Sequence, residues 1–580
     1  MRTSRMMPPS QNYTVACNGS DREKAFGAAV AREFGLAPQV GEILYSRDVN
    51  TLEKAEEFLC PQLSMLPSPE RMKGMREAVA CILAACDNKQ SIFVHGDFDV
   101  DGMSATALLV SFFRELGQQT YAYIPNRLQE SYGLSIESID RLIEQGTGQG
   151  GVLISVDCGI SAVEEVAYAR QRGLRVVITD HHEPQGMLPE ADAILDPKQP
   201  GCDFPCDALS GVGVAFYLLM ALRKAMGIRI NLKQYLDLVA LGTVADVVPL
   251  TGVNRILVRA GLEVLTATRR PGLLSLYSCG GLGKREILSE NIAFKLAPRI
   301  NAAGRLGQPE AGLALLLAND MESAQTAASA LEHMNNTRKQ MEIKEVTAAE
   351  VACDEQIRSG KNGLVVYQPH CHAGILGIIA SRLVDRYHRP VIVFADEFKD
   401  GAGGIIRGSG RSVKGINLFH ILARCDQNIK QFGGHAMAVG LTIDRKKLEQ
   451  FTLDFNQQIN MLEFGLQAMD KVWIDYRLSD ASMLTVHLAQ TVQRLQPFGE
   501  GNPEPLFFLS GQQLLAPIKK NGHLIFHLQG QEKVFPGIGF HLGHPQLDMS
   551  KPADVVFRLK RSWFKGREQS QLQAIMLISH

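Results

Sequence analysis

His95-Gly-Asp97-Phe-Asp99-Val-Asp101-Gly102 follows directly on the apolar run 91–95. Three carboxylates and an imidazole crowd a few consecutive positions there, and unpaired anions so close raise one another's pKa. A bound divalent cation resolves that conflict; a solvated Asp-rich turn is the plainer alternative. An EF-hand calcium loop is excluded, because its twelfth position counted from Asp97 is Leu108 rather than a bidentate Glu. The same stretch decides the fold. A short apolar strand, an acidic loop and a helical pattern at 103–116 open a strand/helix alternation, with further strand candidates at 119–125, 152–157 and 175–180. Each strand candidate ends in charged or turn residues, which predicts a parallel sheet with crossover helices. Ligands of such sheets bind outside the carboxyl ends of the strands, and the acidic and histidine residues stand there.

Three more words carry chemistry. Val156-Asp157-Cys158-Gly159 closes the apolar run 152–156; Asp157 is a metal ligand or the cap of a following helix, and Cys158 reads as a small buried residue. Thr179-Asp180-His181-His182 sets two imidazoles beside a carboxylate that could orient them; a surface histidine pair is the alternative. Asp246, in Gly242-Thr-Val-Ala-Asp246-Val, stands alone among apolar residues after the helical run 235–241 and needs a cation or a salt bridge.

Outward from these words the chain divides. At 580 residues it is too long for one core. Residues 1–70 form an N-terminal segment expected to pack on the core, and 71–320 the α/β domain with the words above. Residues 321–358 lack Pro and Gly and are rich in helix formers, predicting a long connecting helix. A second, smaller α/β domain is expected at 359–462, with strands near 363–367 and 390–395 and a Gly-rich stretch at 401–415. Residues 463–580 read as short strands separated by Gly and Pro.

The composition is that of an ordinary globular protein: 45% hydrophobic, 21% charged, net charge −1. A nucleic-acid-binding surface would therefore have to be local. Eleven cysteines without a CxxC pair argue against structural zinc and fit a reducing cytoplasm. No stretch approaches the ~18 apolar residues of a membrane span, so a soluble, cytoplasmic protein is expected. The best Walker-like dipeptide, Gly283-Lys284, lacks the upstream Gly, so no motor is expected.

In order, the words run HxDxDxD, VDCG, DHH and a late Asp, which resembles the DHH phosphoesterase superfamily. The resemblance implies two divalent ions, Mn²⁺ first and Mg²⁺ as an alternative, held by residues matching His95, Asp99, Asp101, Asp157, His181 and Asp246. Asp157 would bridge them, Asp97 and Asp180 would support the site, and His182 would touch substrate phosphate. Two ions ~4 Å apart activate water and clamp both oxygens of a displacement, so no side-chain nucleophile is needed.

Further words resemble the exonuclease branch of that superfamily. Gly433-Gly-His435-Ala-Met-Ala-Val-Gly440 matches a groove-lining word of the DHH-associated domain, with His435 near a phosphate. Ser409 and Arg411, in Arg407-Gly-Ser-Gly-Arg-Ser412, match residues that hold a terminal 5′-phosphate; Gly410 departs from the usual Ala. Arg127 resembles another end-binding position, and Asn301 and Arg305 are candidates for backbone contacts, with a helix cap and a salt bridge as the alternatives. Pro497-Phe-Gly-Glu-Gly-Asn-Pro503 opens a region resembling an OB-fold, a small β-barrel. In it, residues 558–567 interleave cations with aromatics, a pattern suited to single strands. The resemblance implies a 5′→3′ exonuclease of single-stranded DNA acting in repair and recombination. It also implies a single-strand-binding protein and a separate helicase as partners, and a monomer is expected. The rivals are another DHH enzyme (pyrophosphatase, oligoribonuclease or cyclic-dinucleotide phosphodiesterase) and a non-catalytic replication scaffold. A scaffold would have lost ligands, and every ligand position is filled here.

Overall fold

The computed structural model describes residues 13–15, 19–130, 133–146, 150–283, 286–397, 404–462, 472–543, 551–564 and 567–579, and the side chains of 13–15, 563–568 and 579 lie outside the description. The first sheet contains β1 (Ser91–Gly96), β2 (Thr120–Tyr123), β3 (Gly151–Val156), β4 (Leu174–Thr179) and β5 (Ala193–Leu195). Its order is β2-β1-β3-β4-β5 and every pairing is parallel. β1 and β3 are buried along their whole length, as strands covered on both faces must be. The helix α1 (Val100–Glu115) leaves the acidic loop and sinks into the core, where its Leu108 and Phe112 belong to the same buried cluster as Val214 and Leu218 of α2 (Gly211–Met226) and Leu238 and Leu241 of α3 (Leu236–Ala245).

After α4 (Ala297–Arg305) comes α5 (Met321–Arg358), 38 residues long and therefore about 57 Å at 1.5 Å per residue. Asp320 caps it by accepting from Ser323 N at 2.8 Å. Its first half puts Ala328 and Leu331 into the core of the first domain, and its second half puts Ala349 and Cys353 into that of the second. One helix shared by two cores fixes the spacing between them. The second domain contains β6 (Leu364–Tyr367), α6 (Leu376–Tyr387), β7 (Val391–Asp396), β8 (Ile405–Arg411), β9 (Gln431–His435) and β10 (Ala438–Asp444). The order is β9-β10-β8-β7-β6, with β6 and β7 parallel and the other pairs antiparallel. β8 carries Ser409 and Arg411, so most of the described part of the Gly-rich stretch is a strand.

The C-terminal sheet contains β11 (Tyr476–Arg477), β12 (Phe507–Gln512), β13 (Leu515–Lys520), β14 (His523–Gln529), β15 (Val534–Gly539), β16 (Ala553–Phe564) and β17 (Arg567–Ser579). Its order is β11-β12-β16-β17-β15-β14-β13. Phe507, Phe526, Phe535 and Phe557 fill its inner face. The N-terminal helices Asp21–Phe34 and Pro38–Ser46 add Val30, Val40, Ile43 and Leu44 to that same cluster, so the two ends of the chain form one body. Arg255 ties this body to the first domain. Its guanidinium lies 3.6 Å from the Phe58 ring centroid and donates to the carbonyls of Phe58, Leu495 and Gln496 at 2.8, 3.1 and 2.8 Å. No described helix is long and apolar enough to cross a membrane.

Of the stretch 558–567 expected to interleave cations with aromatics, the side chains of Trp563, Phe564, Lys565 and Arg567 lie outside the described residues. The cations of 558–561 are engaged within the protein: Arg558 and Lys560 pair with the buried Glu504, Lys560 also with Glu290, and Arg561 with Glu286. The pairs with Glu286 and Glu290 link the C-terminal sheet to the first domain.

Candidate active site

Strand ends deliver the site. β1 runs into His95, β3 into Asp157 and β4 into Asp180, because neighbouring parallel strands in register finish at the same edge. Asp99 caps α1, accepting from Asp101 N at 2.9 Å and Gly102 N at 3.1 Å, and Asn301 Oδ1 accepts from Val100 N at 3.2 Å. The cap read as an alternative role for Asn301 is thus present, on α1 rather than on its own helix. Asp101 is 1% exposed and accepts from the N–H groups of Gly211 and Val212 at 2.6 and 3.0 Å. A buried carboxylate at a helix N-terminus meets the positive end of the dipole. Sequence reasoning missed this contact; the signal was Ser210-Gly-Val-Gly, an N-cap serine opening an apolar helix.

Asp157 leaves β3 with φ +61, a left-handed backbone that the surroundings must hold. Its side chain lies tight against α2, since a Cβ on Gly211 would come within 2.6 Å of it. His181 Nε2 stands 3.0 Å from Asp157 Oδ1 and 3.6 Å from Asp246 Oδ2. Three groups of ligand atoms, each within 4.8 Å of one another, result: Asp157–His181–His182, Asp101–His181–Asp246 and Asp97–Asp99–Asp157. Asp157 and His181 each belong to two of them. His95 lies outside the three, with Nδ1 3.7 Å from Cys158 Sγ.

Burial raises the pKa of Asp97, Asp101 and Asp157 well above the carboxylate range, and the neighbouring carboxylates raise it further. Burial, then Asp99, pushes Asp246 up to about 7. Burial brings His95 down to about 4, and burial with the charge of His182 brings His181 to about 3, so both imidazoles are neutral with a lone pair free. His182 goes the other way. Burial would lower it, but its 2.7 Å hydrogen bond to Asp180 and the charges of Asp180, Asp246 and Asp97 outweigh that and raise it to about 9. Asp180 accepts also from Ile160 N and His181 N at 2.9 and 2.7 Å, and is held below the usual range because these bonds and His182 outweigh its burial.

A metal fits these residues. His95 Nε2, Asp97 Oδ1 and Asp246 Oδ2 are buried without a hydrogen-bond partner, and so are His181 Nε2 and Asp157 Oδ1, which face each other at 3.0 Å without hydrogen-bond geometry. Buried polar atoms are rarely left so, and carboxylate oxygens with neutral imidazoles are the donor set of Mn²⁺-type ions.

The adjoining cavity, about 260 Å³, is lined by Phe98, Asp99, Arg127, Ala245, Asp246, Asn301 and Arg305. It joins an acidic end to a cationic one. Arg127 lies 4.9 Å from the Phe98 ring centroid. Arg305 donates to Gly374 O at 3.3 Å; burial, then Arg127, Arg338 and Arg411, lower it to about 9. Arg305 is thus not the surface salt bridge read as its alternative. Arg411 Nη1 donates to Gly410 O at 2.8 Å and Ser409 Oγ at 3.2 Å, and a Cβ on Gly377 would come within 2.7 Å of its Nη2. His435 ends β9 opposite Ala438 in a hairpin, largely open to solvent, and the partial desolvation of its ring, then the charges of Arg411 and His182, lower its pKa. The structure brings the residues expected at the metal and those expected at the 5′ end to one place.

Comparison with known proteins agrees with this arrangement. Residues 91–243 match the DHH family N-terminal domain, 360–461 the DHHA1 domain and 474–575 the RecJ OB domain. The chain is 38% identical over 560 residues to the single-stranded-DNA-specific exonuclease RecJ of Escherichia coli (strain K12), covering 93% of this chain and 95% of that protein. A crystal structure of RecJ in complex with Mn²⁺ from Thermus thermophilus has a TM-score of 0.83 at 29% identity, over 99% of this chain and 80% of that one. The corresponding complex with Mg²⁺ has a TM-score of 0.78 at 28% identity, over 99% and 79%. With this identity along nearly its whole length, and with all three domains in order, the chain belongs to the RecJ family of the DHH proteins.

Proposed function

We propose that this protein is a metal-dependent exonuclease that hydrolyses single-stranded DNA 5′→3′ to 5′-mononucleotides. One observation carries the reading: Asp246, whose buried Oδ2 has no hydrogen-bond partner and stands 3.6 Å from His181 Nε2, lines the same cavity as Arg127 and Arg305, whose charges and that of Arg411 oppose one another. Asp99, Asp101, Asp157, His181 and Asp246, with His95, would hold two divalent ions, Mn²⁺ in preference to Mg²⁺. Such ions lower the pKa of water and offset the charge developing on the phosphoryl oxygens. Asp97 supports the cluster. Asp180 keeps His182 protonated, which directs a cation at the scissile phosphate. Ser409 and Arg411 with Arg127 anchor the terminal phosphate, Asn301, Arg305 and His435 contact the following backbone, and the anchor sets the polarity. The same reading makes the protein a cytoplasmic monomer of DNA repair and recombination. It would work with a single-strand-binding protein and a helicase in trans.

The test uses purified protein, Mn²⁺ and one oligonucleotide in single-stranded and blunt duplex forms, labelled at either end. Early release of a 5′-labelled mononucleotide from the single strand alone is expected. Intact DNA overturns the reading and turns attention to pyrophosphate and cyclic dinucleotides.

Metal binding also carries a pH signature. Asp246, at about 7 when folded, lies above the ordinary carboxylate value of about 4. A raised carboxylate is stabilising only below its unfolded pKa, so the metal-free protein loses stability as pH rises from about 4 through about 7. Bound cations remove that burden. The gap in Tm between Mn²⁺ and EDTA is expected to widen from about pH 5 to about pH 8, and a constant gap would show that these carboxylates are not the ligands.

A further inference from the structure

Asp246 caps the C-terminus of α3, and the chain turns away at Val247 with φ +65. A β-branched residue takes that conformation only where its surroundings impose it. Val247 is itself 63% exposed, so its own packing does not. The constraint lies just beyond. Leu250 N–H donates to Glu500 O at 2.8 Å, and Pro249 O accepts from the buried Asn254 side chain at 3.0 Å. Leu250 is 2% exposed. A Cβ on Gly499 would lie 2.6 Å from Leu250 Cδ1, and one on Gly501, whose φ is +69, would lie 3.0 Å from Pro249 Cβ. The segment after Asp246 is therefore seated on the loop 497–503, the motif that opens the C-terminal region.

That loop is gripped in turn. Asn502, 1% exposed, donates to Leu495 O and Pro497 O, both at 2.8 Å, and accepts from Arg47 Nη1 at 2.8 Å. Arg47 pairs with Asp475 at 2.6 Å, and Ser289 Oγ donates to Phe498 O at 2.6 Å. A line of direct contacts thus runs from the N-terminal helices through the loop to the segment that carries Asp246.

We infer that the loop 497–503 is a positioning element of the active site, holding Asp246 in register with His181 and Asp157 through its contacts with Pro249 and Leu250. The inference rests on Asp246 being a metal-site carboxylate. It gives the C-terminal region and the N-terminal helices a part in completing the metal site, separate from any hold on the strand.

The experiment compares the full-length protein with Gly499→Ala, Leu250→Ala and the double variant. Mn²⁺ binding is read by the loss of the free-ion paramagnetic resonance signal, beside kcat, KM for a single-stranded oligonucleotide, and Tm in EDTA. Gly499→Ala is expected to bind Mn²⁺ about tenfold more weakly, as changes behind a ligand do. Its kcat should fall by about 10²-fold with KM unchanged. Leu250→Ala alone removes the side chain seated on the loop and is expected to weaken Mn²⁺ binding, whereas in the same chain as Gly499→Ala it relieves the clash, the new methyl fills part of the space it leaves, and Mn²⁺ affinity rises back toward wild type. Wild-type Mn²⁺ binding and kcat in Gly499→Ala, a loss confined to KM, or no recovery in the double variant overturns the inference. Arg47→Ala introduces no clash and decides the matter if Gly499→Ala does not fold: weaker Mn²⁺ binding supports the coupling and unchanged binding overturns it. Failure of the wild-type protein to bind Mn²⁺ would instead sink the reading of the site itself.

Discussion

Asp157→Asn is expected to lower Mn²⁺-dependent nuclease activity by more than about 10²-fold while raising the Tm of the metal-free protein. The two effects have one origin. Asp157 is 2% exposed, its Oδ1 has no hydrogen-bond partner, and after burial itself the charges of Asp101, Asp99, Asp246 and Asp97 all oppose its ionisation. Without a cation, the charge only destabilises. Asparagine keeps the shape that fits against Gly211 and is among the few residues that tolerate a φ of +61. The backbone is therefore preserved and the substitution isolates the charge. Repulsion falls, so the folded state without metal gains stability; the carboxylate that belongs to two ligand groups becomes a neutral amide, so metal binding is lost. Sites that trade stability for function behave in this way. Melting in EDTA and in Mn²⁺, beside the nuclease rate, tests both halves. Activity within tenfold of wild type would show that Asp157 is not a ligand, and a lower Tm in EDTA would show that its charge is relieved by something other than metal.

Such a trade was partly legible in the sequence, because the site is built from local words. His95, Asp157 and Asp180 each follow an apolar run, and a parallel sheet puts strand ends of that kind side by side. The α/β first domain, the second α/β domain and the strand-rich end were legible for the same reason: their periodicity is local. What stayed hidden is what only the folded chain assembles. β5 has three residues and no period to detect. The N–H groups on Asp101 come from a helix more than a hundred residues later. Arg558, Lys560 and Arg561 carry the alternation of a strand-binding surface, yet their partners Glu286, Glu290 and Glu504 are distant in sequence. The cations around the cavity were read one by one; that Arg127, Arg305 and Arg411 oppose one another's charge is a product of the fold.

That mutual opposition makes Arg411 the second substitution of large effect. Burial lowers its pKa and Arg127 lowers it further, while the same two arginines act on Arg305. Cations so arranged gain most from an anion between them, and a terminal phosphate has the charge and the oxygens for a forked donor. Arg411 Nη1 is already fixed by Gly410 O and Ser409 Oγ, and the backbone of α6 at Gly377 comes close to Nη2, so the group is pre-set rather than searching. Arg411→Ala is expected to cost about 1.5–3 kcal/mol of charge-assisted hydrogen bonding, or about 10- to 150-fold in kcat/KM, on a 5′-phosphorylated strand. A strand ending in a 5′-hydroxyl should lose little, so the preference between the two ends collapses. Arg411→Lys keeps the charge without the fork and should recover only part of the preference, because an ammonium is a point charge that cannot reproduce the two-pronged contact. The ratio of the two substrates is the quantity to measure, since a general weakening of strand binding would lower both rates together and leave it unchanged. An unchanged ratio in Arg411→Ala would remove this arginine from the 5′ anchor and leave the polarity of the enzyme without its proposed cause.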